Sequence, residues 1–215
     1  MALFVTLEGG EGAGKSSVAE ELASRMRAAE IDVVATREPG GTELGAKLRQ
    51  ELFRVREDGR ESIAPWTETL LMMADRAHHV ETMIRPALAR GAVVLSDRFA
   101  DSSIAYQAYG RQLDLQRVRE LNQIATGELT PNLTLLLDVP VREGTARARP
   151  EANDRIGMET VEFHSRVLEG YKRLAMSEPE RIKTIDAAQP LESVIAEAWG
   201  VLAPRLTSQG YRVDV

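Results

Sequence analysis

The chain has 215 residues, enough to fill one core and too few to make two full-size domains the default, so residues 1–215 read as a single domain. Its formal net charge of −6 excludes the broad basic face that binding a nucleic-acid backbone requires, so no nucleic-acid partner is expected and any phosphate site must be local. Cysteine is absent, which removes disulfides, thiolate catalysis and Cys-based zinc sites, and no run approaches the ~18 apolar residues of a membrane span, so no membrane partner is expected.

Residues 3–7 are the first of five short β-branched or leucine-rich runs, each too short for a core helix. The stretch has no basic lead-in and is too short for a signal-peptide core, so a reducing, cytoplasmic setting is the simplest expectation. It runs directly into Gly9-Gly10-Glu11-Gly12-Ala13-Gly14-Lys15-Ser16 and a helix over 17–29 with Val18, Leu22 and Met26 on one face. The second run, 33–36, ends at the turn Pro39-Gly40-Gly41, and Asp58-Gly59 marks a charged loop. A helix is expected over 67–89, and the third run, 93–97, closes on Asp97-Arg98. After Pro131-Asn132 the fourth run, 133–138, closes on Asp138. Residues 142–158 are polar, contain Gly144, Pro150 and Gly157, and carry Arg142, Arg147, Arg149 and Arg155, the pattern of a flap, with Arg147 at the end of the preceding helix. A helix bearing Phe163, Val167, Leu168, Tyr171 and Leu174 follows, then Glu178-Pro179, the fifth run, 182–186, and a final helix. Strand and helix alternate, which predicts an α/β fold: a five-stranded parallel sheet with helices on both faces and right-handed crossovers.

The Gly9–Ser16 segment fits G-x-x-x-x-G-K-[ST] between a strand and a helix, which predicts a P-loop for ATP and Mg²⁺. Backbone N–H groups from Gly9 through Ser17 would close around phosphate oxygens at a positive helix end. Lys15 would reach the β- and γ-phosphates, and Ser16 would ligate the metal. A second metal-side acid is needed at another strand end. Asp97 is preferred over Asp138 because Arg98, a phosphate-binding cation, follows it. No N-K-x-D motif is present, so a guanine switch is not supported. A small kinase needs an acceptor phosphate site and a lid that excludes water. Arg37, Arg76 and Arg98 are available for the first, and residues 142–158 for the second.

Thr36-Arg37-Glu38-Pro39-Gly40-Gly41-Thr42, Asp97-Arg98 with Ser102-Ser103-Ile104-Ala105-Tyr106-Gln107, and the Glu-containing phosphate loop together resemble the bacterial thymidylate kinases, from the first strand to about Tyr171. The resemblance implies a homodimer, built on the 67–89 helix, that transfers the γ-phosphate of ATP directly to dTMP. It places Glu11 near the acceptor sugar 3′-hydroxyl and the metal, and Arg98 and Arg37 near the acceptor phosphate, where planar guanidinium forks suit two oxygens. It puts Arg76 on the thymine edge with Ser103 and Gln107 as further polar contacts, and Tyr106 against the sugar 2′ position. Met72 replaces the aromatic that many relatives stack on the base, a role a polarizable thioether can share. Gly12 stands where one branch of the family has a catalytic arginine. The missing cation is therefore expected from the lid, from Arg149 and Arg155 ahead of Arg147, with Arg147 on the ATP side. His78, His79 and His164 show no metal-site spacing and read as surface or structural, and Trp66, Phe53 and Met73 as core or interface. The close alternative is a kinase for dUMP, UMP or dGMP. A non-kinase P-loop ATPase is the distant one.

Overall fold

In the computed structural model, which describes residues 2–54, 63–147 and 155–213, all five apolar runs are strands. They are β1 (Leu3–Gly9), β2 (Val33–Arg37), β3 (Val93–Asp97), β4 (Leu133–Asp138) and β5 (Ile182–Asp186), parallel throughout in the order β2-β3-β1-β4-β5. Between them lie α1 (Lys15–Ala28), α2 (Glu43–Phe53), α3 (Pro65–His79), α4 (Arg85–Ala89), α5 (Ala100–Ser103), α6 (Leu115–Thr126), α7 (Val141–Arg147), α8 (Val161–Ser177) and α9 (Leu191–Ser208). No helix among the described residues is long and apolar enough to cross a membrane.

β1 is buried along its whole length, as a central strand covered on both faces must be, which is why it reads as an unbroken apolar run. Its side chains still alternate. Leu3, Val5 and Leu7 enter one core with Val18, Leu22 and Met26 of α1 and with Val194, Ala198 and Leu202 of α9, whereas Phe4 faces the opposite layer with Val80, Ile84 and Phe99. A third cluster joins Tyr106 to Phe163, Val167 and Tyr171 of α8.

α3 and α4 make one rod through a π-helical turn, Val80–Ile84, that precedes Pro86, whose missing N–H interrupts the helical ladder. The rod covers the helix expected over 67–89. A second π-helical turn, Ile104–Gly110, continues α5 and carries Tyr106 and Gln107; such turns are frequent at functional sites.

The flap expected over 142–158 is not a loop at its start, because residues 142–147 are helical in α7. Gly144 is the reason that helix can lie where it does: its Cα packs against the Glu11 carbonyl, where a Cβ would not fit. Arg147 and Glu143, one turn apart, form an ion pair along it. Arg149, Pro150 and the Asp58-Gly59 turn lie outside the described residues.

Register sets the site. Leu7 and Arg37 both pair with Asp97, so the carboxyl ends of β1, β2 and β3 are level, and the strand order reverses beside β1. Open α/β sheets bind ligands in the crevice beyond such a reversal.

Candidate active site

The phosphate loop turns tightly because Gly9, Gly12 and Gly14 adopt φ of 145°, 66° and 84°, values that an L side chain rarely takes. At Gly9 a Cβ would strike the Leu137 carbonyl oxygen on the neighbouring strand. The loop delivers Lys15 and Ser16 into the first turn of α1. The Lys15 ammonium is buried and donates to the carbonyls of Gly10 (2.7 Å) and Gly9 (3.2 Å). Burial and the nearby Arg98 lower its pKa to about 8, against the opposing pull of Glu11, Asp97 and Glu8. The Ser16 hydroxyl donates to Asp97 Oδ2 at 2.6 Å, so a hydroxyl and a carboxylate from two elements already converge. Asp138, the rejected alternative, is 3.8 Å from Lys172 on another strand end. A cleft opens here, with Gly12, Lys15, Ser16, Ser17, Arg37 and Arg147 in its wall.

Beside it lies a second cleft, lined by Met72, Arg76, Ser103, Tyr106 and Gln107, five of the residues expected at an acceptor site. Glu11 and Arg98 line both clefts. Arg98 has φ of +75°, an uncommon conformation for a non-glycine residue, held by its N–H on the Leu7 carbonyl and by the Ser96 hydroxyl on its own carbonyl. Its guanidinium donates to Glu11 Oε1 (2.9 Å), the Tyr106 hydroxyl (3.0 Å), and the Gly9 carbonyl and the hydroxyls of Ser102 and Tyr171 (3.2 Å each). Burial works to raise the Glu11 pKa, yet Arg98, Lys15 and the Tyr106 hydroxyl outweigh it and hold the carboxyl at about 2. Burial pushes the Tyr106 phenol up, so it stays protonated and donates to Glu11 at 2.9 Å.

Arg76 is more a wall post than a free hand. It is 2% exposed and donates to Glu38 (2.8 Å), Ser103 (2.8 Å), Asn122 (2.6 Å) and the Phe99 carbonyl (2.9 Å), which leaves one N–H for a ligand. The Ser103 hydroxyl accepts from Arg76 and keeps its own proton to donate. The Gln107 amide nitrogen donates to Glu68 (2.8 Å), which leaves its carbonyl oxygen for the cleft.

Arg155 is not brought to the phosphate loop. It donates to Glu68 at 2.5 Å and to the Leu52 carbonyl at 3.2 Å, in a cluster with Arg111 behind the second cleft. The physical reason is Glu68, a carboxylate with 0% exposure that needs cations around it. Arg147 does reach the loop side, anchored on the carbonyls of Ala187 (2.6 Å) and Ala188 (3.0 Å). Arg37 is exposed on the same cleft.

Phe53, expected in a core or interface, lines the second cleft, with Arg49 over its ring at 4.6 Å. Glu38, Asp75 and Asn122 also went unassigned in the sequence. Glu38 was visible inside the quoted Arg37-Glu38-Pro39 motif, and it binds both Arg76 and His79. Asp75 lines the cleft with Oδ2 buried and unpartnered, and burial followed by Glu38 raises its pKa. No local pattern marks Asn122. His79 and His164 are buried, the structural alternative for both; His79 bridges Glu38 and Thr36.

A family model described as thymidylate kinase matches residues 7–198. The thymidylate kinase of Synechococcus sp. (strain JA-2-3B'a(2-13)) is 49% identical over 204 residues, covering 95% of this chain and 96% of that one. That of Desulfovibrio desulfuricans is 48% identical over 220 residues, covering 99% and 100%. Among solved structures, thymidylate kinase from Ehrlichia chaffeensis superposes with a TM-score of 0.75 at 30% identity, over 94% of this chain and 98% of that chain. A phosphate loop joined by Glu11 and Arg98 to a second cleft, together with full-length likeness of this degree, places the chain in the thymidylate kinase family.

Proposed function

We propose that the chain transfers the γ-phosphoryl group of ATP to the phosphate of dTMP, giving ADP and dTDP, with ATP at the Gly9–Ser17 loop and dTMP in the second cleft. The observation that carries this is the shared wall: Arg98 and Glu11 border both clefts, so two phosphates bound on either side would meet there. Direct transfer needs that proximity more than any covalent chemistry from the protein.

Lys15 leaves the loop carbonyls for the β- and γ-phosphates, and Arg98, with Arg37 at the rim, forks the acceptor phosphate. Glu11 is ionised at neutral pH, and its Oε2 takes no hydrogen bond among the described residues, which suits it to receive the sugar 3′-hydroxyl. Ser16 and Asp97 would hold Mg²⁺, since a hydroxyl and a carboxylate are the hard oxygen donors it prefers. When bound, that ion neutralises charge on the phosphate oxygens. In the acceptor cleft the Gln107 carbonyl suits the thymine N3–H, the Ser103 hydroxyl and the remaining Arg76 N–H suit its carbonyls, and Tyr106 crowds the sugar 2′ position. Met72 and Phe53 supply apolar cover for the ring. The segment that follows α7 would close over ATP, with Arg147 and Arg149 on the phosphate side. A cytoplasmic homodimer joined along the α3–α4 rod completes the proposal.

The test is ADP release from ATP and Mg²⁺ with and without dTMP, followed by the same assay over a panel of nucleoside monophosphates. Acceptor-dependent turnover, highest with dTMP, is expected. Acceptor-independent hydrolysis would instead mark an ATPase, and a preference for UMP or dGMP would refute the base assignment.

A further inference from the structure

Glu8 lies one residue before the phosphate loop, has 0% exposure, and is not placed to touch either nucleotide. A buried carboxylate is costly, and an apolar residue would fill the same space more cheaply. Its partners show what it does. Glu8 Oε1 accepts the backbone N–H of Phe99 at 2.8 Å, and Oε2 accepts the hydroxyls of Ser102 at 2.6 Å and Tyr171 at 2.8 Å. Those same two hydroxyl oxygens each accept from Arg98 at 3.2 Å.

We infer that Glu8 is a positioning residue for Arg98: by drawing the protons of Ser102 and Tyr171 toward itself, it turns both hydroxyl lone pairs toward the guanidinium and so aims the acceptor-phosphate fork. The inference rests on the proposed role of Arg98 at the dTMP phosphate. A hydroxyl has one proton, so it can accept from Arg98 without conflict only while that proton is given elsewhere. The two hydroxyls are 2.9 Å apart and can satisfy at most one of each other's protons, so the carboxylate is needed for the second. The bond to the Phe99 N–H also fixes the backbone next to Arg98, whose φ of +75° is uncommon for a side-chain-bearing residue.

The arrangement makes the aim depend on pH. Once protonated, Glu8 carries a proton that must be donated to one of the hydroxyls, which then turns its own proton toward its neighbour or toward Arg98. Arg98 loses an acceptor. Around Glu8 stand Asp101 on α5, which forms its own two-pronged pair with Arg181, Tyr171 on α8, Arg98 just beyond β3 and Lys15 at the start of α1. Burial first, then the charge of Asp101, raises the Glu8 pKa to about 7, against the hydrogen bond of Ser102 and the charge of Arg98. The competent form is the ionised one, so acceptor use should fall as pH drops through neutrality.

Initial rates of the full chain and of Glu8→Gln, with ATP and dTMP varied separately across a pH series spanning neutrality, test this. A glutamine keeps the shape but presents an N–H, and so mimics the protonated state. The KM for dTMP is expected to rise about tenfold, the loss of one well-placed hydrogen bond, while the KM for ATP holds. The wild-type kcat/KM for dTMP should show an acid limb near neutrality that Glu8→Gln lacks; the limb from the substrate phosphate, near about 6, remains in both. Unchanged dTMP use with the same acid limb in Glu8→Gln overturns the inference, as does an equal loss on both substrates. If Glu8→Gln fails to fold, Tyr171→Phe decides, because it removes one lone pair from Arg98 and leaves Glu8 in place. A raised KM for dTMP alone supports the inference, and no change rejects it. Failure of the wild-type chain to phosphorylate dTMP at all would instead refute the proposed function.

Discussion

Arg155→Ala separates two roles for an arginine expected to act on the transferring phosphoryl group. In the structure Arg155 is 17% exposed at its side chain and bonds Glu68 Oε2 at 2.5 Å and the Leu52 carbonyl at 3.2 Å. Glu68 has no exposure, and burial alone would raise its pKa; Arg111, Gln107 and Arg155 together bring it below the usual value. Removing Arg155 leaves Arg111 and Gln107 on the carboxylate, so the loss is that of one charge-assisted bond and one weaker one, about 2 kcal/mol. For a chain of this size that corresponds to a fall in Tm of about 4–8 °C. Because Glu68 also holds the Gln107 amide, the KM for dTMP should rise a few-fold while kcat changes little. A transition-state arginine behaves differently: its loss costs roughly 10³ to 10⁵ in rate with little effect on stability. Calorimetry and steady-state kinetics on the same preparation decide. A collapse of kcat with an unmoved Tm would refute the placement of Arg155 on Glu68 behind the second cleft and return it to the phosphates.

Lys15→Ala should stay folded and lose transfer by about 10²–10³-fold or more, because in the proposed reaction the ammonium meets β- and γ-phosphate charge while its native bonds go only to loop carbonyls. Its lowered pKa means the charged form is disfavoured by folding, so thermal melting should show Tm unchanged or slightly raised. Arg98→Ala should cost about 3 kcal/mol or more in kcat/KM for dTMP, roughly 150-fold, with ATP affinity retained; titrations showing ATP affinity lost and dTMP affinity kept would put Arg98 on the wrong phosphate. Met72→Phe should retain dTMP activity and tighten binding by about 1 kcal/mol, about fivefold, as measured by calorimetric titration, and a strong loss would mean the ring does not lie on Met72.

The strands were readable because parallel strands buried on both faces must be short continuous apolar runs, and three of the five have the expected limits to the residue. The phosphate loop was readable because its glycines, lysine and serine are adjacent in the chain and their job is done by local backbone. What the sequence concealed is long-range. Residues 142–147 carry a glycine and few apolar side chains, which reads as loop, yet they are helical because Gly144 allows the helix to rest on the Glu11 carbonyl, a contact more than a hundred residues distant. The two π-helical turns leave no periodic signature of their own.

The arginines show the limit most clearly, since residue type alone does not say which of Arg76, Arg98, Arg147 and Arg155 is free to meet a phosphate. Burial and donor count divide them. Arg76 and Arg155 face acidic side chains, Glu38 and Glu68, that are themselves almost fully buried, and a cation so paired cannot leave without stranding a carboxylate. Arg147 is held by neutral carbonyls alone apart from a long contact with Glu143, so an incoming phosphate oxygen competes with weaker partners. Arg98 lies between these cases: its acidic partner, Glu11, is 24% exposed at the side chain and opens onto both clefts, so a phosphate can approach the guanidinium without breaking the pair. Of the arginines paired with buried or half-buried carboxylates, the one open to an incoming anion is therefore the one whose carboxylate still reaches solvent, a property of packing that residue type and spacing do not encode.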